Sequence, residues 1–168
     1  MPRPTVAELL RELRYDAVTG LHWWLIRRRG RRLDRPAGTI IVTRSGRPYR
    51  VITLDGRKYY AQVLAWAMMT GKWPDRQVDH IGDSTDNRWI KLRLATQSQN
   101  NMNRDELRPG LTGASFHKRS GRWQAYIKKD GKQIALGYFS TAEAAHEEYK
   151  KAAKRLFGEF VHIKRPTR

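Results

Sequence analysis

Between residues 79 and 100 the chain gathers side chains able to hold a cation and to move a proton: Asp79, His80, Asp83, Asp86, Asn87 and Asn100. With 34 Lys and Arg against 16 Asp and Glu, the protein repels free cations, so grouped oxygen ligands call for a polyanion as their partner. The combination points to chemistry on a phosphodiester, and a solvated Asp/Ser/Thr/Asn loop is the competing reading. A strand, loop, strand and helix in that order can set a carboxylate from the first strand and an amide oxygen from the helix on one divalent ion, with water and phosphate completing its shell. Asp79 and Asn100 stand at those positions and are the candidate ligands of one divalent ion. His80, whose side chain leaves the strand opposite to that of Asp79, is the candidate general base, and its near-neutral intrinsic pKa suits the role.

The elements that must position these groups are readable from pattern. Thr5 and Glu8 form a capping box ahead of Val6, Leu9, Leu10 and Leu13, predicting an opening helix that ends near Tyr15. After a turn over Asp16 to Gly20 come short strands at Leu21 to Ile26, Thr39 to Val42 and Tyr49 to Leu54, with Asp55-Gly56 as a hairpin turn. The cluster Arg27, Arg28, Arg29, Arg31 and Arg32 lies between the first two strands, either as a solvated loop or as a clamp on a phosphate backbone. Tyr60 to Thr70 reads as a helix closed by Gly71 and Pro74. Val78 to Ile81 and Leu92 to Ala95 read as strands, Thr96 caps a helix running through Asn103, and Arg104 to Leu111 reads as a linker. Beyond it, Gly113 to His117, Arg122 to Lys129 and Lys132 to Phe139 alternate as three strands, the last two joined at Asp130-Gly131. Ser140 and Glu143 form a second capping box before a helix whose apolar stripe is Ala145, Tyr149, Ala152 and Leu156. On the middle strand Trp123, Ala125 and Ile127 share one face with the helix, which leaves Gln124, Tyr126 and Lys128 on the other. Trp123, Phe139 and Tyr149 are expected in the core, and His22, His146 and His162 at the surface or in packing.

Composition narrows the partner. The 168 residues carry a net charge of +18 spread along the whole length, together with six Trp, seven Tyr and four Phe, so the chain is expected to fold and to lie along nucleic acid. The absence of cysteine removes disulfide frameworks and thiolate metal sites. No apolar stretch approaches membrane-spanning length and the start Met-Pro-Arg-Pro-Thr lacks the apolar run of a secretory signal, so the expected location is the cytoplasm.

Asp79-His80-Ile81, Asp86-Asn87-Arg88, Leu92-Arg93-Leu94-Ala95-Thr96 and Asn100 together resemble an HNH homing endonuclease of the phage type. Tyr15-Asp16, Gly20-Leu21, Trp24, Leu64-Ala65-Trp66 and Trp73-Pro74 are similar to the residues that lead into that motif, so the resemblance covers most of residues 15–104. It implies a ββα-metal fold that cuts or nicks DNA with magnesium or manganese, with Asp79 and Asn100 as metal ligands and His80 as general base. The chain departs from the family at three places. His80-Ile81-Gly82-Asp83 is one residue shorter than the usual His-Ile-Asn-Gly-Asp, and Gln62-Val63 stands where the family carries His-Arg. The asparagine that orients the imidazole falls on Lys91, whose protonated amine cannot accept a hydrogen bond from an imidazole N–H. Weakened cleavage is the expectation, with Asn87 as a substitute orienting residue if the shortened loop repacks.

Gly113-Ala114-Ser115-Phe116, Trp123-Gln124-Ala125-Tyr126-Ile127, Leu136-Gly137-Tyr138-Phe139, Ala144-Ala145 with Tyr149, and Phe157-Gly158 resemble an APETALA-type (ethylene-response-factor) DNA-binding domain over residues 112–161. That family lays its sheet in the major groove, which implies DNA contacts at Ser115, His117, Tyr126, Lys128, Gln133 and Ala135. Arg88, Arg93, Arg119 and Gln124 complete the candidate DNA contacts.

The sequence thus predicts an α+β protein. Its parts are a helix and β-rich DNA-contacting segment at 1–58, an HNH ββα-metal nuclease module at 59–104, a linker at 105–111, an APETALA-type domain of three antiparallel strands on one helix at 112–163, and a basic tail at 164–168. The expected activity is metal-dependent nicking of double-stranded DNA by a monomer, with no membrane and no small-molecule substrate. A non-enzymatic DNA-binding protein on the same scaffold is the alternative.

Overall fold

The computed structural model describes residues 3–102 and 111–161, so Asn103, His162, the basic tail and all of the expected linker but Leu111 lie outside the described residues. The chain divides into two compact units, Met1–Leu94 and Ala95–Arg168. The fold class is α+β, as the sequence predicts: the described residues form four α-helices and several small sheets in mixed order.

In the first unit, α1 (Val6–Glu12) opens with the full capping box of Thr5 and Glu8. It stops earlier than its apolar spacing predicts. Leu13 takes an extended conformation, and β1 (Leu13–Tyr15) pairs antiparallel with β2 (His22–Trp24). Leu13, facing Trp24 across the pair, buries as well in a strand as in a helix turn, so the apolar pattern alone cannot separate the two. Next come β3 (Thr39–Val42), β4 (Pro48–Leu54) and β5 (Arg57–Tyr60), paired in that order as an antiparallel sheet. Asp55 and Gly56 both have positive φ, 45° and 79°, the mirror-image turn that matches the twist of a two-residue hairpin.

Helix α2 (Ala61–Thr70) ends on Gly71 in the left-handed conformation. With α1 and the sheet it closes a core of Leu9, Leu13, Ile52, Leu54 and Leu64. Its other side, through Ala65, meets Val78 and Leu92, with Tyr15, Trp66 and Trp89 packed around them. That second cluster lies beneath β6 (Gln77–His80) and β7 (Leu92–Ala95), which pair as a two-stranded sheet, and it gives the candidate site a rigid floor.

In the second unit, α3 (Gln97–Met102) is capped reciprocally by Thr96 and Gln99. The strands β8 (Ala114–His117), β9 (Arg122–Lys129) and β10 (Lys132–Phe139) form an antiparallel sheet with β9 in the middle. Helix α4 (Ala142–Phe157) packs on it through Ala145, Tyr149, Ala152, Ala153 and Phe157. The cap of α4 is Thr141, whose hydroxyl accepts from the Ala144 N–H at 3.1 Å, one residue later than the Ser140 expectation. Glu143 therefore sits inside the first turn, where its charge meets the helix dipole. The buried stripe also runs past Leu156, which is partly buried, to Phe157. Gly113 is held under this helix: with φ +77°, an added Cβ would lie 2.8 Å from the Tyr149 Cβ and closer still to its ring.

Candidate active site

Strand β6 delivers Asp79 and His80, and both are buried, at 8% and 7% exposure. The loop 81–91 returns over them, and its Asn87 is 3% exposed. His80 Nε2 and Asn87 Oδ1 lie 3.1 Å apart. Asn87 uses its Nδ2 to donate to Thr85 O at 3.0 Å, which leaves Oδ1 as the acceptor facing the imidazole. His80 therefore carries its proton on Nε2 and keeps Nδ1 as the basic lone pair. Burial pushes the His80 pKa below the ordinary histidine value, opposed by the Asn87 hydrogen bond and then by the carboxylates of Asp79, Asp86 and Asp83, so the ring is neutral at pH 7 and fit to accept a proton.

The side-chain amide that meets the imidazole is that of Asn87, while Lys91 supplies its backbone carbonyl to the Ile81 N–H at 2.8 Å, closing the base of the loop. The shortened loop is internally tied. Asp83 accepts from the Thr85 N–H at 2.7 Å and from its hydroxyl at 2.8 Å, and Arg88 grips Asp86 in a fork with contacts of 2.6 and 2.9 Å. These bonds hold both carboxyls below the usual carboxylate range.

Asp79 receives Arg93 Nε at 3.1 Å, with both side chains about nine-tenths buried. A buried carboxylate in a chain without thiols is an oxygen donor of the kind a hard divalent ion takes, with one or two carboxylates and with water and phosphate in its remaining positions, while Arg93 already offsets part of its charge. Among the described residues no three His, Cys, Asp or Glu side chains cluster as a metal group, so Asp79 is the one carboxylate the β6 strand offers. Asn100 lies on α3 of the second unit, where its N–H donates to Thr96 O at 2.9 Å.

The arginine candidates separate by exposure. Arg31 is 9% exposed, bonded to Glu12 at 2.7 Å with its guanidinium 4.1 Å above the Trp24 ring, so it serves the fold. Arg28 bridges Glu12 and Asp55, and Arg32 pairs with Asp34. Together with Arg29 and Arg35, these side chains line a cavity of about 500 Å³ whose acidic lining residue among the described residues is Asp55. On the second unit, cross-strand register places the expected contacts on one face: His117 opposite Arg122, Ser115 opposite Gln124, Ala135 opposite Tyr126 and Gln133 opposite Lys128. The opposite face carries Ala125 and Ile127 into the core, and Trp123 meets Phe116 edge to face at 5.4 Å. Tyr138 was not anticipated. It lies opposite Gln124 on the outer face, 44% exposed, with its ring 5.3 Å from that of His117; strand alternation interrupted by the irregularity between Ala135 and Gly137 hid it. Arg119 lies exposed in the turn before β9. Of the histidines expected outside the site, His22 is fully buried with both ring nitrogens unpartnered, and His146 lies 2.8 Å from Thr112 O.

Residues 59–102 match the HNH endonuclease family model. That span contains Asp79, His80, Asn87 and Asn100, and the match supports a nuclease. A 46-residue segment, 27% of this chain, is 46% identical to the AP2-like ethylene-responsive transcription factor TOE2 of Arabidopsis thaliana and covers 10% of that protein. The same share of this chain, at the same identity, is similar to APETALA2-like protein 2 of Oryza sativa subsp. indica and of subsp. japonica, covering 11% of each. The chain thus spans about a tenth of the length of these relatives. No solved structure matches the chain.

Proposed function

We propose that the protein is a DNA endonuclease in which His80 activates water for attack on a phosphodiester, and that it nicks duplex DNA. The observation that carries this reading is the His80 and Asn87 pair: a buried, neutral imidazole with one nitrogen engaged by an amide oxygen and the other left basic. Asp79 beside it would hold a divalent ion, magnesium or manganese, and Asn100 as a second ligand rests on the sequence resemblance alone. When bound, such an ion supplies positive charge to the phosphate and the leaving oxygen.

The chain's own residues do the rest. His80 Nδ1 takes the proton of the attacking water, and its Nε2–H is held by Asn87 so that the ring neither rotates nor exchanges tautomers. Arg93 keeps the Asp79 carboxylate in one orientation. The arginine-lined cavity of the first unit and the outer face of the β8–β10 sheet are the surfaces we assign to phosphate and groove contacts. A single site of this kind cuts one strand per encounter, so a monomer nicks.

Single-turnover cleavage of a labelled duplex tests the assignment. Asn87→Ala lowers the rate by about 100-fold with little change in duplex affinity, whereas Lys91→Asn leaves it within about threefold of the parent, because the orienting amide is already present. A large gain from Lys91→Asn combined with an unchanged Asn87→Ala rate would show that Lys91 occupies the orienting position and overturn the assignment.

A further inference from the structure

The β1–β2 hairpin stands apart from His80 in sequence, yet it grips the backbone of the residue that orients His80. Tyr15 Oη donates to Asn87 O at 2.6 Å. Trp89 N–H donates to Ala17 O at 3.0 Å, which ties the turn of the hairpin to the far side of the same loop. Gly20, at φ +74°, approaches so closely that a Cβ there would lie 2.5 Å from Asn87 C and closer to Arg88 N. Only a residue without a side chain admits that contact. Ser84 Oγ donates to Pro48 O of β4 at 2.7 Å, so a second element also fixes the loop.

We infer that the β1–β2 hairpin is a positioning clamp for the candidate active site: Tyr15 and Gly20 fix the Asn87 backbone, and Asn87 thereby holds the His80 ring in the Nε2–H tautomer. The inference rests on the reading of His80 as general base. Tyr15 is built for this duty. Its ring packs with the Ala65, Val78 and Leu92 cluster and lies 4.8 Å from the ring of His22, which leaves the hydroxyl one direction. Burial, then the charges of Asp16 and Asp86, pushes its pKa up to about 12, so it remains a donor at every pH at which the protein would be assayed. Tyr15 is a positioning residue, since it reaches the imidazole only through Asn87. A hydrogen bond that merely stabilised the fold would alter the melting temperature and leave the histidine signature alone.

Tyr15→Phe keeps the ring and removes the hydroxyl, and the test reads the ¹⁵N signals of the His80 imidazole in the full, metal-free chain at about pH 7.5, where an unperturbed histidine is mostly neutral. The parent shows the Nε2–H form. Tyr15→Phe shows a mixture of tautomers, and its single-turnover rate on duplex DNA falls about tenfold while duplex affinity holds. Gly20→Ala moves both quantities further in the same direction; should it fail to fold, Tyr15→Phe carries the test alone. A folded Tyr15→Phe variant with His80 still in the single Nε2–H form overturns the clamp, whether or not the chain cuts DNA. A tautomer shift in a chain that cuts no DNA sustains the clamp and overturns the nuclease reading instead.

Discussion

At the scale of single residues, the site is made by side chains whose neighbours decide their chemistry. His80 and His22 are both buried, but the ring nitrogens of His22 have no hydrogen-bond partner whereas His80 Nε2 meets Asn87, and the difference separates a candidate base from a core residue. Burial, assisted by the charge of Arg50, pushes the His22 pKa down to about 3, whereas in the unfolded chain the ring titrates near the ordinary histidine value. Protons therefore bind the unfolded state preferentially between these values, and stability present above about pH 6.5 is lost at about 1.4 kcal/mol per pH unit as the pH falls. His22→Leu removes that contribution: denaturant midpoints measured from about pH 7 to 5 fall less steeply in the variant than in the parent. Equal slopes would mean that His22 is hydrated or partnered in solution.

At the scale of elements, strands and hairpins were legible where side-chain alternation and turn chemistry agree. Leu92–Ala95, Arg122–Lys129 and Lys132–Phe139 have the bounds read from the sequence; Asp130-Gly131 fixes the hairpin register, and alternation fixes the faces of Arg122–Lys129 but is interrupted in the last strand between Ala135 and Gly137. The boundary after α1 was not legible, since Leu13 satisfies either period, and neither was the cap of α4, where Ser140 and Thr141 are adjacent residues able to serve. The partner of His80 was legible only as an option, because a loop has no period and Asn87 is brought to the imidazole by ties within the loop and from the hairpin before it. Gly113 is an element-scale constraint of the same kind. Gly113→Ala adds a strained left-handed residue and a clash with Tyr149, and lowers the stability of the second unit by about 3 kcal/mol, against about 1 kcal/mol for Thr141→Ala at the α4 cap. Chemical denaturation followed through unit-specific amide signals checks the order of the two effects.

At the scale of the whole molecule, the net charge of +18 makes phosphate contact the dominant contribution to any association with DNA, so duplex affinity falls steeply with salt, by about 10³-fold between roughly 50 and 200 mM. The exposed Arg29 and Arg35 contribute to that slope, and replacing either by alanine lowers it by about one. Arg31→Ala leaves the slope unchanged and lowers stability, because its guanidinium is held between Glu12 and Trp24. Charge alone fits a DNA-binding protein as well as a nuclease, and what separates them is turnover. The deciding measurement is the conversion of supercoiled plasmid by the full chain in magnesium or manganese, with EDTA and His80→Ala as controls. Open-circular product that needs both the metal and His80 is the predicted result; tight binding with the plasmid left supercoiled in either metal would contradict the account and leave a DNA-binding protein on a nuclease scaffold.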